Sequence, residues 1–285
     1  MQAKFGPAGT PASFAAAGHK SSLEAPSFIK SFGLNAFEYQ CGHGVRISEK
    51  SAAALKKEAE RNGITLSVHA PYYISLSSKE EEKRKNSVKY ILQTATAAKN
   101  MGAERIVVHS GSVSGMTRAA ALKFSAETIL SALEELEKEN LGGIKICPET
   151  MGKINQLGDL DEVLTLCQLS ENLIPCVDFG HLNARTRGGI KGKDDYKILF
   201  DKIEKVLGFE RLENMHVHFS KIEYTGGGEK RHLNFDDDKF GPPYEPFAEL
   251  LAEYKLLPTV ICESAGMQCE DAKNIMDIYL KTQRL

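Results

Sequence analysis

The sequence predicts an α/β fold, a single (β/α)8 barrel spanning residues 1–285, with a metal site at the C-terminal face of its strands. Three observations predict it. Short apolar runs alternate with helix-forming segments along the whole chain, which is the pattern of parallel βαβ units. The runs number eight, which closes a barrel at this chain length. The first turn, "FGPAGTPA", lacks the G-x-G-x-x-G of a doubly wound dinucleotide fold, the main competing architecture.

The predicted strands in order are "AKFG" around Lys4, "NAFEYQ" (35–40), "ITLSVHA" (64–70), "RIVVHS" (105–110), "IKICPE" (144–149), "IPCVDF" (174–179), "NMHVHFS" (214–220) and "TVICES" (259–264). Between them, "SEKSAAALKKEAERNG" has a serine cap, strong helix formers and a terminal glycine. "KEEEKRKNSVKYILQTATAAKNMG" places acids first and closes on Gly102. "TRAAALKFSAETILSALEELEKEN" and "EDAKNIMDIYLKTQRL" are further helices. One connection, from Lys221 to Glu245, is too long and irregular for a tight βα turn, and such loops are usually functional.

Hydrophobic residues make up 42% of the chain and charged residues 26%, so a globular core is expected. The net charge of −2 supplies no overall basic field; a polyanionic partner would have to meet a local patch or bound cations. The six cysteines form no C-x-x-C pair, which argues against a disulfide framework or zinc ribbon. Cys147, Cys176 and Cys262 lie in apolar runs and read as small buried hydrophobes. The N-terminal segment lacks the apolar core of a secretory signal, and no stretch approaches the roughly 18 apolar residues of a membrane span. A cytoplasmic monomer is expected.

The chemistry-bearing residues gather at strand ends. His69 ends the third strand, His109 the fourth and Glu149 the fifth. Asp178 ends the sixth, with His181 in the following turn; His216 lies in the seventh and Glu263 at the end of the eighth. A lone histidine at a strand end is more often a hydrogen-bonded structural group. Seven such residues on the rim where barrel active sites are built point to metal ligation instead. Mixed imidazole and carboxylate donors favour zinc, manganese or iron over calcium or magnesium. The donors exceed what one catalytic zinc needs, so at least two ions are implied, with Glu149 available to bridge them. Paired ions suit phosphate-ester hydrolysis. In "HVHF", His216 and His218 point to the same face; His216 is taken as the ligand and His218 as its support. His232, in the long loop, is a candidate if that loop folds over the site.

At these residues the sequence resembles the endonuclease IV family of abasic-site endonucleases, which are xylose-isomerase-like TIM barrels. "VHAPYYISL", "VVHSGS", "CPETMGK", "CVDFGHLNA", "MHVHFSK" and "ICES" resemble the family's segments in order over almost the whole chain. The resemblance implies a trinuclear metal cluster, usually of zinc; for this chain two or three Zn2+ ions are expected, with Mn2+ or Fe2+ as alternatives. It also implies hydrolysis of the phosphodiester 5′ to an abasic nucleotide in duplex DNA by a metal-bridging hydroxide. Carried over, His69, His109 and Glu149 hold one ion; Glu149, Asp178, His216 and Glu263 a second; His181 and His232 a third. Glu149 is the bridging, catalytic carboxylate.

The chain departs from the family in two places. Lys230 stands where the family's D-x-H has its Asp; Glu229, one position away, would take that place by a shift of the loop. The first strand also lacks a following His. Tyr72 and Tyr73, just after His69, are placed to wedge into duplex DNA at a missing base. Arg46, Lys153, Lys221 and Arg231 lie in rim loops and are candidates for phosphate contacts. Two other readings compete: a sugar isomerase or epimerase on the same barrel, and an inactive abasic-site binder that lost turnover through Lys230.

Overall fold

Eight parallel strands form where the apolar runs predict them: β1 (Lys4–Pro7), β2 (Ala36–Gln40), β3 (Thr65–His69), β4 (Arg105–His109), β5 (Lys145–Glu149), β6 (Cys176–Asp178), β7 (His216–Phe219) and, after an inserted hairpin, β10 (Thr259–Cys262). The computed structural model describes residues 2–284; Met1, and Leu285 at the end of the last predicted helix, lie outside the described residues. The strands run in the order β1-β10-β7-β6-β5-β4-β3-β2, and the ring closes between β1 and β2. Asn35 N–H donates to Phe5 O at 3.1 Å and Gly9 N–H to Glu38 O at 2.9 Å across that seam. The seam requires glycine: a Cβ on Gly6 would lie 1.8 Å from Ala36 O.

The outer layer comprises α1 (Ala12–Ala16), α2 (Ala25–Ser31), α3 (Glu49–Asn62), α4 (Glu81–Met101), α5 (Arg118–Lys138), α6 (Leu160–Cys167), α7 (Phe179–Arg185), α8 (Lys193–Leu207), α9 (Phe209–Glu213), α10 (Glu245–Glu253) and α11 (Gln268–Thr282). Their ends follow sequence chemistry. Ser48 accepts from Ser51 N–H at the start of α3, and Gly63 and Gly102 end α3 and α4 in the left-handed conformation. Strand and helix faces bury one continuous apolar core. Under the later strands, Phe179, Tyr196, Phe200, Phe219 and Phe247 interlock at centroid separations of 4.9–6.4 Å. Each such ring contributes about 2 kcal/mol by burial. All six cysteines are buried free thiols. No described helix is long and apolar enough to cross a membrane.

The first half of the segment expected to be an irregular loop is instead an antiparallel hairpin, β8 (Lys221–Thr225) and β9 (Gly228–Leu233), standing on the C-terminal rim, while residues 234–244 are irregular. The "TGGG" turn lets the chain reverse, and "KIEYT" alternates as a strand should. The hairpin contains a bulge. Tyr224 pairs with Glu229 and Glu223 with Arg231, so Lys230 is the extra residue on β9.

The neighbouring β5–α6 loop docks on the hairpin tip through Glu229 N–H to Gly152 O at 3.1 Å and Ile154 N–H to Gly227 O at 3.1 Å. A Cβ on Gly228, whose φ is +89°, would lie 2.2 Å from Gly152 O. Two arginines clamp this loop. Arg185 donates to Lys153 O at 2.8 Å, and Arg118 to Ile154 O at 3.0 Å and to Glu162 at 2.5 and 2.7 Å.

Candidate metal centre

The strand ends converge on one polar cluster. His69 Nε2 and His109 Nε2 each lie 3.4 Å from Glu149 Oε2. The other oxygen of Glu149 lies 3.2 Å from His218 Nδ1 and 3.4 Å from His181 Nδ1, so one carboxylate faces two groups of imidazoles. Asp178 caps α7, accepting His181 N–H at 2.7 Å through Oδ1. Its buried Oδ2 lies 3.1 Å from His181 Nδ1, an ion-pair contact without hydrogen-bond geometry, and has no hydrogen-bond partner among the described residues. Glu263 follows β10 and lies 3.5 Å from His218 Nδ1. On the hairpin, Glu229 Oε2 lies 3.5 Å from His181 Nε2 and Glu229 Oε1 4.0 Å from His232 Nε2.

Among the described residues five groups of donors have ligand atoms within 4.8 Å of one another; His69, His218 and Glu263 form one that overlaps its neighbours, and three others divide the rim: His69, His109 and Glu149; Glu149, Asp178, His218 and Glu263; and His181, Glu229 and His232. The hairpin bulge explains the third. Side chains alternate along a strand, so residues three apart should face opposite ways. The extra residue restores the phase, and Glu229 and His232 both face the centre. Lys230 faces outward with its ammonium 2.6 Å from Glu223, away from the site.

The structure places His216 differently from its sequence assignment. Register puts His218 level with Asp178 and His216 level with Cys176, one layer deeper in the barrel. His216 Nε2 lies 2.9 Å from Glu38 Oε2. His218 Nε2 lies 2.9 Å from Glu38 Oε1, although off the line a hydrogen bond needs. His218 thus joins the carboxylate set, and His216 sits beneath it with Glu38. A further donor group, Cys176, His216 and His218, is wholly buried at this level.

Glu38 was not singled out in the sequence. It has no solvent exposure, reaches across the barrel from β2 to β7, and also accepts from Ser67 Oγ at 2.9 Å and Gln40 Nε2 at 3.1 Å. Its only signal was an acid in an apolar strand. Gln40 and His43 are also rim residues that sequence reading passed over. Gln40 lines the cleft, and the Tyr72 hydroxyl lies 2.5 Å from His43 Nδ1.

Burial alone would neutralise these groups, and their charges oppose it. Burial works against the Glu149 charge, but His218, His181 and His69 outweigh it and hold its pKa well below the carboxylate range. Burial, reinforced by Glu149 and Asp178, pushes Glu263 up. Burial pushes His109 down to about 4. His69 rises to about 9 because Glu149 and Glu38 overcome its desolvation. Three carboxylates crowded out of water among converging imidazoles fit a divalent cation site.

The cleft above has a volume of about 350 Å³ and is lined by the rim donors other than Asp178 and His218, together with Gln40, Tyr72, Lys153 and Gln156. A second hollow of about 260 Å³ continues it past His232 and Glu263 to Gln268. Tyr72 and Tyr73 are 48% and 42% exposed, which leaves their rings available to a ligand. Tyr73 leans on Tyr90 with centroids 4.8 Å apart. Arg46 is exposed on the β2 loop. Lys221 and Arg231 are engaged elsewhere: Lys221 donates to Phe235 O at 2.8 Å and to Asp237 O, and Arg231 pairs with Glu223 at 2.7 Å.

The sequence profile of xylose isomerase-like TIM barrels matches residues 26–281. The chain belongs to that family. An uncharacterized family relative from Methanocaldococcus jannaschii is 37% identical over 275 residues, 96% of each chain. A probable endonuclease 4 of Enterococcus faecalis is 28% identical over 229 residues, 76% of this chain and 74% of that one. Among solved structures, a D-tagatose 3-epimerase-like protein superposes with TM-score 0.70 at 23% identity, covering 99% and 98% of the two chains. Endonuclease IV from Thermus thermophilus superposes with TM-score 0.67 at 19% identity, covering 93% and 94%. At these identities the superpositions speak for the barrel and not for an activity. The family accounts for an enzyme whose strand ends carry the site.

Proposed function

We propose that the chain is a metal-dependent phosphodiesterase that cleaves duplex DNA on the 5′ side of abasic sites. The observation that carries this reading is the third donor set on the hairpin, His181, Glu229 and His232, beside the two sets that share Glu149. A sugar isomerase or epimerase uses one or two ions and has no need of the third. Similarity to a probable endonuclease 4, 28% identical over 76% of the chain, supports the same reading.

In this proposal His69, His109 and Glu149 hold one ion, Glu149, Asp178, His218 and Glu263 a second, and His181, Glu229 and His232 a third. Zinc suits the mixed nitrogen and oxygen donors. When bound, the ions supply Lewis acidity and an activated water at neutral pH. The chain's own residues do the rest. Glu38 keeps His218 turned so that Nδ1 faces the carboxylates. Lys153, exposed on a loop whose backbone is held by Arg185 and Arg118, offers a cation to a backbone phosphate. Tyr72, oriented by His43, offers a ring to the gap where a base is missing.

A second reading has its own observation. The cleft of about 350 Å³ is the size of a pocket for a small sugar, and Glu149 and Glu263 would then flank the substrate. One experiment separates the two. Metals per chain are measured by elemental analysis, and the same preparation is assayed on a duplex with one abasic site and on ketohexoses, before and after chelation. About three metals with chelation-sensitive incision is the expected outcome. Bound metal with sugar turnover and no incision would overturn the phosphodiesterase reading.

A further inference from the structure

The opposite end of the barrel carries the opposite charge. Side chains alternate in and out along a strand. Phe5 packs on Tyr279 of α11 with centroids 5.3 Å apart, so Lys4 beside it faces the barrel interior. His109 faces the interior from the top of β4, so Arg105, four residues earlier, does so from the bottom. An ammonium and a guanidinium are therefore aimed into the N-terminal mouth.

A cavity of about 260 Å³ opens there, lined by Lys4, Arg105, Thr65, Thr259 and Asn35 among others, with no carboxylate in its lining. Arg105 uses one N–H on Asn214 O at 3.3 Å. Lys4 makes no ion pair among the described residues. The nearest acid acting on it is Glu104, which is exposed and outside the lining. Burial and the charge of Arg105 both push the Lys4 pKa down, as expected for two cations held together without a counterion. The Thr65 and Thr259 hydroxyls are tied to no other protein group among the described residues, so the mouth offers neutral donors between its cations.

We propose that this mouth binds a small tetrahedral oxyanion of the phosphate or sulfate class, held between Lys4 and Arg105 with Thr65 and Thr259 as neutral donors. Charge-assisted hydrogen bonds of this kind are the strong ones. The site is a barrel length away from the metal centre and stands independently of the proposed reaction.

The test titrates the as-purified protein with sulfate at constant ionic strength against chloride, reading melting temperature and, by equilibrium dialysis, labelled sulfate per chain. One saturable equivalent is expected, weakened at least tenfold by Lys4→Gln and by Arg105→Gln, with the metal content of both variants unchanged. Parallel titrations with orthophosphate and glycerol phosphate assign the source: tighter binding of the ester identifies an organic phosphate, equal binding the free ion. Wild-type crystals soaked in selenate give a second readout that needs no variant, an anomalous peak in the mouth. No saturable binding, binding equal in both folded variants, or a selenate peak only elsewhere would overturn the site.

Discussion

Glu38 is sealed from solvent at the centre of the barrel, yet four side chains converge on it: His216, His218, Ser67 and Gln40. A buried carboxylate facing two imidazoles through separate oxygens settles which nitrogen each imidazole has left for other work. Glu38→Gln keeps the shape and removes the charge. The expected outcome is a loss of metal affinity of roughly 10- to 100-fold, read by chelator competition, in a protein whose circular dichroism is unchanged. Unchanged affinity would mean that Glu38 only fills space.

A second buried acid, Asp271 on α11, accepts Phe235 N–H at 3.0 Å and is pushed up to about 6 by burial. Its unfolded value is 3.8, so between pH 3.8 and about 6 the folded chain holds a proton that the unfolded chain has released. Stability from this group is therefore present at low pH and lost as pH rises through that window. Asp271→Asn should gain on the wild type by on the order of 2 °C in melting temperature between pH 5 and 7.5, taking roughly 1 kcal/mol after discounting for solvent screening. A difference that is flat with pH would refute the assignment.

Among the elements, the hairpin does what no barrel strand does, since it brings donors from above the rim. Its bulge makes an acid and a histidine three apart equivalent to a pair two apart. Deleting Lys230 should leave the metal content unchanged, because Glu229 and His232 then share a face by ordinary alternation. Replacing Glu229 by Gln should cost one equivalent of metal by elemental analysis. Truncating Lys230 to Ala should do little, because its exposed pair with Glu223 is screened by solvent.

The eight barrel strands and the chemistry at their ends were legible because burial on both faces forces apolar runs, and strand ends are where those runs admit polar residues. The hairpin was not, since its residues are mostly polar and its pairing is with itself. Nor was the depth of His216 and His218. Alternation gives the face of a strand, but level is set by register against β6, and no local signal encodes that. Glu38 escaped for the same reason, because its two histidine partners lie on a strand across the barrel.

At the scale of the whole molecule, Glu149, Asp178 and Glu263 are forced together out of water by barrel closure. Cations relieve that crowding, so prolonged chelation should lower the melting temperature. Ligand present at about a thousand times its dissociation constant stabilises by roughly 4 kcal/mol, which for a chain of this size is on the order of 10 °C. Differential scanning calorimetry before and after chelation measures it, and a superimposable transition would show that the cluster holds no ion in the purified protein.

The seam between β1 and β2 bears on the order of folding. Glu38 gives its backbone carbonyl to Gly9 across that seam and its carboxylate to the two histidines of β7. Donors to the centre arrive from β3 and from the turn after β10, so the centre is complete only when the last strand has met the first. Contacts this distant in sequence form late. The metals would therefore enter a barrel already assembled instead of nucleating it, and their uptake would report that the ring has closed.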